Sequence, residues 1–331
     1  MNITVILCTY NRCQSLAKAL GSVAVSILPP AIDWEVLVVD NNSNDQTSAV
    51  VQEFSCKYPG RFRYIFAPKQ GKSYALNCGI RESYGEVLAF MDDDVEVDPN
   101  WLQNLTAALK NREWSGAGGR ILPEAGFTPP RWMDTNGRYA LSPLAMFDLG
   151  IEAGELMEAP VGTNMAFHKA MFLKYGGFRT DLGPQPGSEI RNEDAEFGSR
   201  LLAGSERFWY EPSAVVYHSI PPSRMQKAYF QTWWFDKARA DVRQDGISKD
   251  ARWYVAGIPI YLFRRLAVWT LKWIFSVKPR SRFSCKLSVW RVMGAIAECY
   301  RPYLETAQVA NKSIVRDIRT PLAPREKPVD D

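Results

Sequence analysis

The sequence predicts an α/β protein, a mostly parallel sheet with helices on its faces. Over residues 1 to 120, short strand-like runs alternate with segments of helical period, the pattern of strands joined by crossover helices. The runs end in polar residues. In the sharpest case the apolar run Val87–Met91 is followed at once by Asp92, Asp93 and Asp94, at the carboxyl end of a strand, where open α/β sheets bind ligands. At 331 residues, 46% hydrophobic and 23% charged, the chain is long enough for one large domain and an appendage.

The first strand, Ile3 to Leu7, leads through Thr9-Tyr10-Asn11-Arg12 to a helix with Leu16, Leu20, Val23 and Ile27 on one face. The second, Trp34 to Val39, ends in the turn-forming stretch 40–45, where Ser43 with Gln46 fits a capping box. Arg61 to Phe66 alternates as a third strand, Lys72 to Arg81 reads as a helix, and Glu86 to Met91 is the fourth strand. Asp98-Pro99 places a capping residue before Pro, opening a helix through Trp101, Leu102, Leu105 and Leu109. From Pro123 to Pro160 the pattern dissolves into Pro, Gly and aromatic residues, and loops of that length are functional or mobile. Order returns at Val161–Phe167, followed by a short helix ending at Gly176-Gly177. Asn192 then caps a helix carrying Phe197, Leu201 and Leu202 that stops at Gly204, and a strand from Ala214 to Tyr217 delivers His218.

The expected organisation is a domain over 1–246, with halves at 1–120 and 121–246, a helical region over 247–320, and a polar tail over 321–331 that reads as disordered. The N-terminus begins with a strand rather than a basic leader, and Cys8, Cys13, Cys56, Cys78, Cys285 and Cys299 form no CxxC pair. Both features suit a reduced, cytoplasmic protein.

The net charge of +4 is unevenly spread, because residues 221–300 hold 15 Lys and Arg against 5 Asp and Glu and six of the eleven Trp. Such a segment suits a membrane interface or a nucleic-acid surface. Ile260 to Phe275 is apolar apart from Arg264, Arg265 and Lys272, and an Arg pair near its middle argues against a spanning helix. Those charges share one sector of about 100°, with Leu262, Leu266, Trp269, Trp273 and Ile274 elsewhere. The expectation is an amphipathic helix on the cytoplasmic membrane face, within a contact region over 251–300. An ordinary surface helix packed on the domain is the alternative.

Three adjacent carboxylates repel one another unless a hard divalent ion or strong donors neutralise them, and oxygen ligands suit Mg²⁺ or Mn²⁺. A solvated acidic loop is the plainer reading. Taken in order, Thr9-Tyr10-Asn11-Arg12, the run from Val38 to Asp45, the triplet, the segment Asn192 to Leu201 and the isolated His218 resemble the inverting glycosyltransferases of family 2 on the GT-A fold. The resemblance extends from Ile3 to about Gly246.

The resemblance implies a nucleotide-sugar donor, a UDP- or GDP-sugar, and a sugar or lipid-linked acceptor in polysaccharide or glycolipid synthesis. It implies that Asp94 and His218 bind Mn²⁺ or Mg²⁺, which bridges the donor phosphates and stabilises the leaving diphosphate. Asp194 matches the general base that takes the acceptor hydroxyl's proton, although acidic residues at a helix start also serve the macrodipole. Donor contacts are implied for Cys8, Thr9, Tyr10, Arg12, Asp40, Lys72, Asn77, Asp92, Asp93, Gly162, Asn164 and Arg224. Asn41 stands where many relatives carry a second Asp, and the processive QxxRW sequence is absent, so single-sugar addition is expected over polymerisation.

A metal-dependent sugar nucleotidyltransferase also places acids at strand ends, but it carries a Gly-rich phosphate loop that Thr9–Leu16 does not provide. A nucleic-acid module built on the basic Trp-rich region would need an exposed stacking platform beside a groove. Here the apolar residues share one helix face, so no nucleic acid is expected. A dinucleotide oxidoreductase lacks its GxGxxG after the first strand.

Overall fold

The computed structural model describes residues 1–135, 140–247 and 251–319, with side chains described as far as Arg301 apart from that of Asn111. The expected disordered tail therefore lies outside the described residues. The chain opens with β1 (Ile3–Thr9), α1 (Cys13–Ala24), β2 (Trp34–Asp40), α2 (Thr47–Lys57), β3 (Phe62–Phe66), α3 (Lys72–Glu82) and β4 (Val87–Asp92). The strands lie in the order β3-β2-β1-β4, all parallel. From β1 the chain moves outward through β2 and β3, then returns to form β4 on the other side of β1. The carboxyl ends of β1 and β4 thus flank a switch in strand order, the place where such sheets leave a crevice.

The sheet continues with β5 (Val95–Val97), α4 (Trp101–Ala107), β6 (Gly116–Pro123), β7 (Gly154–Leu156), β8 (Asn164–His168), α5 (Lys169–Tyr175), α6 (Glu193–Ala203) and β9 (Phe208–His218). Its full order is β3-β2-β1-β4-β8-β6-β9-β5, with β7 beside β9. Because β8 runs antiparallel to both β4 and β6, this half is mixed while the first half is wholly parallel. β6 is Gly-rich and carries little strand propensity. Its glycines are needed for packing, since a Cβ on Gly116 would stand 2.4 Å from the Phe167 ring and one on Gly119 would stand 2.1 Å from the Ala214 carbonyl oxygen. β9 starts six residues before the expected Ala214. Pro212 lacks an N–H, and the ladder with β6 shifts there from Gly119↔Glu211 to Arg120↔Val215.

Local caps differ from expectation. Ser43 does not cap α2; its Oγ accepts the Asn11 N–H at 2.9 Å, while Asp45 Oδ1 accepts the Thr47 N–H at 3.0 Å. Asn192 precedes α6 in a left-handed conformation and makes no cap bond. It donates instead to Asp241 and Gln244, at 3.0 and 2.9 Å. The described residues of the stretch 123–160 are more ordered than its composition suggests. It contains β7, and its Met133, Leu144 and Met146 pack with Ile220, Phe230 and Phe283 in a second apolar cluster.

The C-terminal region comprises α7 (Lys227–Asp245), the hairpin of β10 (Tyr254–Val255) and β11 (Ile258–Pro259), α8 (Ile260–Phe275) and α9 (Pro279–Arg319). Both α7 and α8 pack against α9. Gly294 sets the α7–α9 approach, because a Cβ there would lie 2.1 Å from the Phe235 carbonyl oxygen. Arg239 and Arg243 of α7 reach the buried Glu298 of α9 at 3.3 and 2.8 Å. The face of α8 expected to meet lipid is in large part a packing face: Leu262, Leu266 and Trp269 join Val292, Ala295, Ile296 and Cys299 in an apolar cluster. Among the described residues no helix is long and apolar enough to cross a membrane.

Candidate active site

β4 is buried from Val87 to Met91, and its register against β1 pairs Cys8 with Asp92 at the strand's end. Asp93 and Asp94 then form the turn into β5, which pairs with the end of β9 in the register Val95↔His218. That pairing brings His218 against Asp94, with Nε2 3.4 Å from Oδ1.

The repulsion within the triplet is met by the chain's own donors. Asp92 accepts from Lys72 Nζ at 2.7 Å and from the Thr163 hydroxyl at 2.8 Å. Asp93 accepts from the Thr9 hydroxyl at 2.7 Å and from Arg12 at 3.0 Å. Asp94 accepts from Arg12 at 3.0 Å and Arg224 at 3.3 Å. Lys72 also stands 3.6 Å from Glu193, the buried first residue of α6.

These surroundings split the carboxyl groups. Burial disfavours the charge of Asp94, but His218, Arg224 and Arg12 outweigh it and hold the group well below the usual carboxylate range. Burial likewise opposes the charge of Asp92, and Lys72 wins there. Burial pushes Asp93 up to about 6 against the pull of Arg12, and pushes Glu193 up to about 7 against that of Lys72. Near neutrality the site therefore holds fixed carboxylates beside acids that titrate.

The site suits a divalent ion. Arg224 bridges Asp94 and the His218 Nε2, the latter at 3.1 Å, so one cationic group already sits between a carboxylate and an imidazole. The ring has two uses: protonated at Nε2 it donates to Asp94, and deprotonated there it accepts from the donor-only guanidinium. The second form presents the lone pair that a metal takes. Among the described residues no group of three His, Cys, Asp or Glu converges, so these two residues would be the protein's share of a coordination shell completed by water and phosphate.

Asp194, in the first turn of α6, faces the same cleft. Its Oδ2 accepts the Gly162 N–H at 2.7 Å and its Oδ1 the Ala195 N–H at 2.8 Å, which orients the carboxylate from both sides. A Cβ at Gly162 would stand 2.9 Å from Oδ2, so a larger residue displaces it. The cleft encloses about 1110 Å³. Beyond Asp194 its wall comprises Tyr229, Trp233, Trp234 and Lys237 of α7 and Arg291 of α9.

Cys8, Thr9, Tyr10, Arg12, Lys72, Asp92, Asp93 and Arg224 line this cleft together with Asp94, His218 and Asp194. Four expected donor contacts are placed otherwise. Asp40 is buried, with Oδ1 accepting the Ser43 N–H and Oδ2 the Tyr64 hydroxyl, both at 2.8 Å. Asn77 exchanges two hydrogen bonds with the backbone of Phe178. Asn164 is wholly buried; it accepts from Trp101 Nε1 and donates to the Arg120 and Ala214 carbonyls. Each of these side chains is occupied in holding the frame. Gly162 contributes its N–H to Asp194 rather than a surface.

Asn41 and Thr163 take positions on the cleft wall. Asn41 donates to the Ala67 and Lys69 carbonyls, at 3.2 and 2.8 Å, and accepts the Gly71 N–H at 2.7 Å. An aspartate cannot donate those two bonds, which explains the amide at this position and ties the β2 loop to the start of α3. The sequence signal was present in Asn41's departure from the aspartate of many relatives. For the aromatic wall of α7 the signal was the clustering of tryptophans over 221–300, which pointed to a membrane or nucleic-acid surface and not to the cleft.

A parallel half-sheet with acids and counter-cations gathered at its switch in strand order has the ligand-binding arrangement of open α/β proteins. The model of glycosyl transferase family 2 matches residues 4–176, more than half of the chain, and the chain belongs to that family. It is a glycosyltransferase, and its sheet is of the GT-A type. Among relatives, it is 27% identical over 229 residues to the succinoglycan biosynthesis protein ExoM of Rhizobium meliloti (strain 1021), covering 69% of this chain and 70% of that protein. It is 24% identical over 278 residues to the glucosyl-dolichyl phosphate glucuronosyltransferase of Haloferax volcanii, covering 80% and 86%. The mannosyltransferase PcManGT from Pyrobaculum calidifontis, solved with GDP-Man and Mn²⁺, superposes with a TM-score of 0.56 at 19% identity over 96% of this chain and 81% of that one. S. aureus TarS 1-349 in complex with UDP-GlcNAc superposes with a TM-score of 0.51 at 15% identity, covering 91% and 92%.

Proposed function

We propose that the chain transfers one sugar, with inversion, from a UDP- or GDP-sugar to an acceptor hydroxyl in the synthesis of a polysaccharide or glycolipid. The observation that carries this is the convergence on one cleft of an oriented carboxylate, Asp194, with an acidic cluster whose counter-ions are Arg12, Lys72 and Arg224. Those cations attract the donor's diphosphate and the charge that develops on it. Asp94 and His218 would hold Mn²⁺ or Mg²⁺, which when bound supplies Lewis-acid stabilisation of the departing diphosphate.

Asp194 takes the acceptor's O–H proton while that oxygen forms its bond to the anomeric carbon. The bond from that carbon to the phosphate oxygen breaks with its electron pair on the diphosphate, and attack from the opposite face inverts the centre. Cys8, Thr9 and Tyr10 form the nucleoside end of the pocket, and Asn41 stiffens its floor. Trp233 and Trp234 offer flat apolar surfaces to the C–H faces of an acceptor sugar. The relatives named for succinoglycan biosynthesis and for a dolichyl-phosphate-linked acceptor support this substrate class. So do the GDP-Man and Mn²⁺, and the UDP-GlcNAc, held by proteins that share the fold.

The test is Asp194→Asn. Transfer should be abolished while Mn²⁺-dependent protection by UDP or GDP in thermal denaturation persists. An Asp194→Asn protein with undiminished transfer would remove the base from this mechanism.

A further inference from the structure

α8 carries two apolar stripes. One is packed on α9; the other, Ile260, Phe263, Ala267, Leu271 and Ile274, recurs at intervals of 3, 4, 4 and 3, centred about 130° round the helix, and is exposed throughout. Phe263 is 39%, Leu271 55% and Ile274 56% exposed. The preceding hairpin is joined to this helix by the bond from Ile260 N–H to the Trp253 carbonyl at 2.9 Å, and it leaves Trp253 75% exposed. No buried core requires these side chains, and a soluble surface seldom gathers so many.

Charge selects the occupant. From residue 251 to 297 the sequence has nine Lys and Arg and no Asp or Glu, and Glu298 is buried among Arg239 and Arg243. A second copy would bring the same cations against their own kind. An anionic bilayer meets both the charge and the apolar face, with Trp at the level where aromatic residues settle. A 16-residue helix is about 24 Å long, too short to cross the hydrocarbon and long enough to lie along it.

We propose that α8 and the β10–β11 hairpin dock on an anionic lipid surface through Trp253, Ile260, Phe263, Leu271 and Ile274. This stands apart from the transfer reaction, but it bears on the acceptor. α9 presents Arg291 to the cleft and packs α8 on another side, so the bilayer would lie about two helix diameters, ~20 Å, from the cleft wall. That is within reach of an acceptor sugar carried on a membrane lipid.

The experiment is flotation of the full chain with phosphatidylcholine vesicles, with and without added phosphatidylglycerol. Wild type should float with the anionic vesicles, and added salt should release it. Phe263→Glu with Ile274→Glu should weaken binding by about a hundredfold or more, since each large apolar side chain contributes about tenfold on leaving water. Arg252→Gln, Arg264→Gln and Lys278→Gln together should also weaken it about a hundredfold, at about fivefold per charge. Both variants should keep the wild-type melting temperature and its protection by UDP or GDP, which separates lost docking from lost folding and from failure of the donor assignment. Flotation of the Phe263→Glu/Ile274→Glu protein at wild-type affinity overturns the proposal. So does equal binding to neutral and anionic vesicles, or a wild-type dimer that this variant dissociates and that binds no vesicle.

Discussion

Replacing Lys72 by Met tests how the acidic site is held together, through a pH dependence whose sign the structure fixes. Lys72 Nζ lies 2.7 Å from Asp92 and 3.6 Å from Glu193. The attraction to Glu193 alone is about 4 to 5 kcal/mol at an effective dielectric of about 20. Much of that is offset by the desolvation of Lys72, so the net loss on removing it is about 3 kcal/mol when both acids are charged. Glu193 has an escape. Its carboxyl is raised from 4.5 to about 7, so its contribution to stability is full below about pH 4.5 and is lost as pH rises through 7, on the order of 3 kcal/mol in all. Without Lys72 its pKa rises further, and at pH 5 the neutral acid needs no partner. Only Asp92 is then left unmatched, with the Thr163 hydroxyl still donating to it. In EDTA-treated protein, urea denaturation should show Lys72→Met more destabilised at pH 8 than at pH 5, by about 1.4 kcal/mol, the most that linkage allows for a Glu193 carboxyl at about 7. A loss that is equal at the two pH values, or larger at pH 5, would refute this account of the pair.

Gly162→Ala should lower kcat at least about tenfold while leaving the Kd for UDP or GDP unchanged, because the added methyl meets Asp194 Oδ2 at 2.9 Å and small displacements at a reacting centre are costly; a Gly162→Ala enzyme of normal kcat would contradict the positioning. Asp45→Ala should cost about 1 kcal/mol at pH 7 through loss of the bonds from the Cys13 and Thr47 N–H groups. The Asp45 carboxyl is held at about 2, with burial overcome by Thr47 and Cys13. Its stabilisation is therefore present above about pH 4 and fades as pH falls through 2. Wild type and variant should differ in urea denaturation at pH 7 and converge near pH 2.

Much of this site was legible because strand ends are marked in sequence. Val87–Met91 followed by three aspartates fixed the strand and the exit of its carboxyl end, and the order of motifs fixed the neighbours. Side-chain direction was not legible. Asp40, Asn77 and Asn164 occupy expected positions along the chain, yet their polar atoms are consumed by Tyr64 and Ser43, by Phe178, and by Trp101, Arg120 and Ala214. Those partners lie 3 to 101 residues away in sequence. A motif specifies that an amide is wanted, and a hydrogen bond across the fold decides whether it faces substrate. β6 escaped notice for a related reason, since its glycines answer to Phe167 and Ala214 on neighbouring strands and carry no periodic signal of their own.

The same limit governs α8. Periodicity reports that apolar residues share a face, and α8 has two such faces about 130° apart. Leu262, Leu266 and Trp269 formed the more conspicuous stripe, and they pack on α9 because that helix offers Val292, Ala295, Ile296 and Cys299 at the matching height. Once that stripe is buried, Arg264 no longer marks the polar side of a simple amphipathic helix. At about 100° per residue it falls between Ile260 and Val268, inside the exposed apolar sector, while Arg265 and Lys272 lie together beyond one edge of that sector. A guanidinium on a long stem can reach lipid phosphate from such a position while its methylene groups stay with the apolar neighbours. The charge that argued against a spanning helix thus becomes, in the folded chain, an argument for one lying in the headgroup layer.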